Sequence, residues 1–117
     1  MTPLEFKART KAYALRVIKV VDALPRDYVS KTLGNQLLRS GTSVAANYRA
    51  SARAKSNADF ISKMGNVEEE CDESLLWMEL LVESERVTPR RLEMLMGEGT
   101  ELLAMTVASI NTAKLRS

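Results

Sequence analysis

Apolar residues recur at three- and four-residue intervals along nearly the whole chain, and only three short breaks interrupt them. Such a pattern buries one side of a helix; a strand, with its period of two, would scatter the same residues over both faces. The first segment runs from about Pro3 to Ala23. Leu4, Phe6, Tyr13, Val17, Val20, Val21 and Leu24 give it a broad apolar side, and Pro25 with Asp27 marks the break. The second starts at Tyr28 or Val29 and is expected to reach Ala54, carried by Leu33, Leu37, Val44, Ala45, Tyr48 and Ala52. Gly34 and Gly41 fall inside it, each costing roughly 0.5–1 kcal/mol relative to alanine in a helix. They can divide the segment in two, but the periodicity continues through both, which favours one helix whose glycines let another backbone close.

The third segment is expected from Ser56 to Glu85. Ser56 with Asp59 forms a shortened capping box, the serine accepting an amide bond and the acid facing the positive helix terminus. Phe60, Met64, Val67, Cys71, Ser74, Met78 and Leu81 then alternate steps of four and three. The fourth begins where Thr88 can cap and Pro89 can occupy the first turn, followed by Leu92, Leu95, Met96, Leu102, Leu103, Val107 and Ile110. Gly97 and Gly99 are places where it can kink. Short connections between helices of this length require antiparallel neighbours, so the expected fold is all-α: an antiparallel up-and-down four-helix bundle, one domain over residues 1–117.

Aromatic residues are only 5% of the chain, so the core must be built from Leu, Ile, Val, Met and Ala. A single cysteine, Cys71, cannot form an intrachain disulfide, and no segment reads as a secretory leader. The longest nearly apolar stretch, Leu102 to Ile110, is too short to cross a bilayer. A cytoplasmic protein without a membrane partner is the expectation.

The net charge of +2 conceals an uneven distribution. Residues 1–55 carry 11 Lys/Arg against 3 Asp/Glu, and residues 56–117 carry 6 against 12. A basic half points to an anionic partner or to the chain's own acidic half. A hairpin turning near Lys55 and Ser56 puts residues whose numbers sum to about 111 at similar heights, so Arg39 lies level with Asp72, Ser43 with Glu68 and Asn47 with Met64. Gln36, Arg39, Ser43 and Asn47 share a polar stripe. It reads either as a ligand-contact row or as a structural network with acids of the third helix, among them Glu69, Glu70 and Asp72. The second reading is favoured for Arg39, whose planar fork suits carboxylates.

Glu69 with Glu73 and Glu79 with Glu83 have spacings that can hold a hard cation. The chain has no histidine, however, and consecutive acids point in several directions, so no metal is expected. Cys71 and Ser43 lack a histidine base, and neither a phosphate-binding loop nor a dinucleotide fingerprint is present. No catalytic residue, cofactor or enzymatic activity is expected. Arg49, Arg53 and Lys55, with Lys63 across the turn, form a patch able to bind a phosphate backbone; the competing reading is surface solubility or subunit pairing. Lys7, Arg9, Lys11, Arg16 and Lys19 form a second candidate surface, but their spacing wraps around the first helix rather than defining one narrow stripe, which weakens a single-contact reading. Tyr13 and Tyr48 sit in apolar periodicities, and Trp77 lies beside the third helix's seam, where it widens the core or anchors a subunit contact.

The run Gln36-Leu-Leu-Arg39-Ser-Gly-Thr-Ser43-Val-Ala-Ala-Asn47 resembles the second-helix signature of the 23S ribosomal RNA intervening-sequence protein family. Phe60-Ile-Ser-Lys-Met and Val67-Glu-Glu-Glu-Cys-Asp-Glu-Ser-Leu-Leu-Trp-Met-Glu-Leu-Leu resemble its third-helix signature. The resemblance covers nearly the full chain. It implies a compact four-helix bundle assembling as a homopentamer, with Arg39 and Asn47 at the most characteristic polar positions, Gln36 and Ser43 beside them, and Glu69 or Glu70 as the acidic match. Some members are encoded within ribosomal RNA genes, and a related accessory protein of diversity-generating retroelements is a basic pentamer acting with nucleic acid. Many members follow the asparagine with a hydrophobic-Ala-Glu-Gly segment; this chain has the basic run Asn47-Tyr-Arg-Ala-Ser-Ala-Arg-Ala-Lys55 instead. The expected function is a non-enzymatic oligomeric bundle with RNA or DNA as partner. The alternative is a scaffold module that binds another protein.

Overall fold

A computed structural model describes residues 1–117. Four helices follow one another without any strand: α1 (Pro3–Asp22), α2 (Tyr28–Ser51), α3 (Asn57–Glu83) and α4 (Pro89–Leu115). Each packs on its neighbours in sequence, α4 closes back on α1, and the backbones of the diagonal pairs stay apart. This is the antiparallel up-and-down bundle, 47 Å long and about 20 Å across.

Local chemistry sets most of the boundaries. Thr2, Asp27 and Ser56 each accept a backbone amide of their helix's first turn, from Glu5, Ser30 and Asp59 respectively. Thr88 stands at the corresponding position of α4, but its side chain makes no capping bond. There the fixed φ of Pro89 starts the helix. α2 stops at Ser51, short of the expected Ala54, because Arg53 and Ala54 donate to the carbonyls three residues back and tighten the last turn. α3 stops at Glu83, short of Glu85. The amides of Glu85 and Arg86 fold back onto the carbonyls of Val82 and Leu81 with Glu85 in the left-handed region, at φ 63°.

α2 runs unbroken through Gly34 and Gly41, and α4 through Gly97 and Gly99. At Gly41 the reason is close approach: a Cβ there would lie 2.8 Å from both γ-carbons of Val17 on α1. The core is mainly aliphatic, with Val17, Leu37, Val44, Val67, Leu81 and Leu92 fully buried among its 16 residues. Two polar features are set inside it. Tyr13 and Ser74 share a hydrogen bond of 2.7 Å across the bundle, and the Cys71 thiol donates to the Gly99 carbonyl at 3.3 Å. Burial pushes that thiol up to about 12, so it stays protonated. Trp77 is half-buried against the core on α3, which supports its reading as a residue that widens the core. No helix is long and apolar enough to cross a membrane.

Candidate nucleic-acid interface

The ion pairs reveal how each helix is oriented. On α2, Arg39 precedes the buried Ser40, and its Nη1 and Nη2 donate to Glu70 and Glu73 of α3 at 2.9 and 2.6 Å. Gln36 steadies the guanidinium by accepting from Nε at 3.2 Å. On α1, Arg9 precedes the buried Thr10 and reaches Glu98 of α4 with a bidentate pair, Nε to Oε2 at 3.0 Å, with Glu101 at 3.8 Å. Partial desolvation opposes the Arg39 charge, but Glu70 and Glu73 outweigh it and raise its pKa. For Arg9 the hydrogen bonds it donates to Glu98 raise it.

Residues just before a buried position therefore face α4 from α1 and α3 from α2. Residues just after one must face the seam between α1 and α2. Lys7 follows Phe6, Lys11 follows Thr10, Lys31 follows Ser30 and Arg49 follows Tyr48, and all four are exposed. Phe6 and Tyr48 stack across this seam with ring centroids 4.5 Å apart, which brings Lys7 and Arg49 to the same height on its outer side. Arg53 follows in the turn beyond the end of α2 and is exposed as well. None of these five cations takes part in an ion pair. α2 itself carries no carboxylate at all.

The residues singled out from the sequence thus separate. Gln36, Arg39 and Glu70 come together, joined by Glu73. Glu69 and Asp72 are exposed and make no bond to Arg39. They sit on the side of α3 turned away from α2, so a match in height did not bring a contact. Asn47 and Ser43 stay within their own helix, the Asn47 amide donating to the Ser43 carbonyl at 2.9 Å. Arg49, Arg53 and Lys55 are exposed, whereas Lys63 is held by Asp59 at 2.6 Å, an acid that also accepts from the Lys55 amide at 3.0 Å. The Lys63 hydrogen bond, with the Lys55 amide next, lowers the Asp59 pKa. Lys63 is therefore neutralised by its own helix, and the free cations beside Arg49 are Lys7 and Lys11. Only packing distinguishes those two from Arg9 in the sequence.

At the same end of the bundle a hollow of about 780 Å³ opens among Phe6, Tyr48, Phe60, Met64 and Met105. No Asp, Glu, Lys or Arg lines it; its polar side chains are hydroxyls, among them Tyr48, Ser51 and Thr112. Nowhere do three carboxylate or thiol groups converge as they would on a metal ion.

Comparison with known proteins places this geometry in context. The sequence model described as 23S rRNA-intervening sequence protein matches residues 3–108. No protein in the curated set matches the chain. A crystal structure from Bacteroides thetaiotaomicron VPI-5482, of a protein with unknown function from the S23 ribosomal protein family, is 31% identical. It superposes with a TM-score of 0.88 over 95% of this chain and 99% of that one.

Proposed function

The chain belongs to the 23S rRNA-intervening sequence protein family, and from that premise we propose that it is a non-enzymatic accessory module, acting as a homo-oligomer in the cytoplasm, that binds the phosphate backbone of RNA or DNA along the α1–α2 seam. The observation that carries this reading is the row of exposed, unpaired Lys7, Lys11, Arg49 and Arg53. Cations without a carboxylate partner are free to displace counterions from a polyphosphate, and a flank without acids does not repel it. Contacts of this type position a backbone without reading its bases, so binding is expected to be strong at low salt and tolerant of sequence.

The test is fluorescence anisotropy with a labelled RNA or DNA strand of about 20 nucleotides, longer than a single binding site. Arg49→Ala with Arg53→Ala should weaken binding and flatten the slope of log K against log salt by about 1.5. Helix content should not change. Lys63→Ala, already neutralised by Asp59, should bind like the parent. Absence of binding at about 50 mM salt, or a double variant that binds like the parent, would overturn the assignment.

A further inference from the structure

The seam between α1 and α4 changes character along its length. Where Arg9 meets Glu98 and Glu101, a cation faces acids. Ten residues farther along α1, about 15 Å, stands Lys19, and ten residues before Glu101 on the antiparallel α4 stands Arg91, so the two come level across the same seam. Neither belongs to an ion pair. A cleft of about 230 Å³ opens between them, and Arg86, from the connection after α3, lines it as well. Three cations thus reach one cleft from three parts of the chain, and no Asp or Glu lines it. Arg86 is held from outside: its Nε donates to Asp27 at 3.2 Å and its Nη1 to the Ser84 carbonyl at 3.3 Å, which fixes the guanidinium and leaves Nη2 unbonded.

Like charges gathered this way repel one another, the more so where protein walls replace water. Arg91 also stands three residues after Thr88, where a glutamate would complete a capping box. For the fold alone, that position favours an acid; with an anion in the cleft, it favours a cation. The walls narrow the choice of anion. Val20, Leu24 and Val87, half-buried against the core, give the cleft an apolar side. Its volume falls below the roughly 300–1,000 Å³ that encloses a whole small molecule, so it takes a terminal group and the first atoms of what carries that group. Two arginines and a lysine suit a tetrahedral oxyanion of nearly two charges, which accepts from several donors at once. A carboxylate, with one charge and two oxygens, would leave the cluster largely uncompensated.

We propose that the cleft among Lys19, Arg86 and Arg91 binds a phosphate monoester, its terminal phosphate between the three cations and the first carbons of its ester group against Val20, Leu24 and Val87. None of these cations belongs to the α1–α2 row, so this site does not rest on backbone binding along that seam. The same chemistry is offered by a small phosphorylated molecule and by the 5′-phosphate of a strand.

The experiment is thermal unfolding at constant ionic strength with uridine 5′-monophosphate, and with uridine as the control. At about 10 mM, ten times a Kd of about 1 mM, the monophosphate should raise Tm by about 4 °C and uridine should not. Lys19→Ala with Arg91→Ala should lose the rise. Arg49→Ala with Arg53→Ala, which removes as many cations elsewhere, should keep it. Arg91→Glu should abolish the response while raising the Tm of the ligand-free protein, because it relieves the repulsion and completes the capping box. No rise with the monophosphate, an equal rise with uridine, a Lys19/Arg91 variant that keeps the rise, or an Arg91→Glu protein less stable than the parent would overturn the proposal. The anisotropy assay with 5′-phosphorylated and 5′-hydroxyl strands then identifies the source. Tighter binding of the phosphorylated strand, lost in the Lys19/Arg91 variant, assigns the cleft to a strand end; equal binding assigns it to a small molecule. Strands that fail to bind at all, alongside an intact response to the monophosphate, would remove the backbone reading and leave the cleft standing.

Discussion

The two flanks of α2 are built on different physics. Toward α1 the contact is steric: Gly41 gives up its side chain so that Val17 can enter, and the cations outside that seam have nothing to neutralise them. Toward α3 the contact is electrostatic at its surface, with Arg39 fixed between Glu70 and Glu73. One helix with three basic residues and no acid therefore pairs one cation with α3 and leaves the others at the surface. Position relative to the neighbouring helix, rather than charge, decides which arginine is structural and which is available.

The largest expected effect comes from closing the steric flank. Gly41→Ala should cost about 1–3 kcal/mol, because Val17 is fully buried and β-branched and cannot yield, and this overpacking outweighs the gain in helix propensity. Urea unfolding measures it, and a variant as stable as the parent would show that α1 is free to move away. Next is the cap that starts α2. The Ser30 amide and hydroxyl, and then Arg86, hold the Asp27 carboxylate well below its usual range. A depressed folded-state pKa adds stability that is complete above the unfolded value near 4 and is lost as the pH falls through the folded value. Asp27→Ala should lower Tm by about 3–6 °C at pH 7 and by less at pH 3, where partial protonation of Asp27 has already cost the parent some of the cap's contribution.

The third prediction is a gain. Glu85 adopts a left-handed conformation that suits glycine, so Glu85→Gly should stabilise by about 1 kcal/mol in the same urea experiment. The smallest effect belongs to the electrostatic flank. Arg39 is half exposed, and Arg39→Ala should move Tm by about 2 °C or less, with the difference fading at high salt. A large loss there would mean that the Arg39 cluster, and not the glycine contact, sets the register of the bundle.

Helix number, order and starting points were legible because capping residues and prolines act locally. The ends were less so: the 3₁₀-like turn after Ser51 and the left-handed Glu85 have no marking glycine. For Arg39, counting heights along a hairpin reached the correct turn of α3 but named Asp72, because height carries no information about facing. Glu70 and Glu73, three apart, flank that height on the α2 side, while Asp72 points outward. Lys63 was readable in principle, since Asp59 stands four residues before it on the same helix. Lys7 and Lys11 were not. Separating them from Arg9 requires knowing which flank of α1 meets α2 and which meets α4, and that follows only from the handedness of the closed bundle.

Cys71 has a practical consequence. A lone, fully buried thiol bonded from α3 to the Gly99 carbonyl of α4 reacts with a disulfide reagent only while those helices are apart. Its modification rate in the native protein is thus a clock for breathing of the bundle, read without introducing any label, and it can be followed while the outer faces are bound or free.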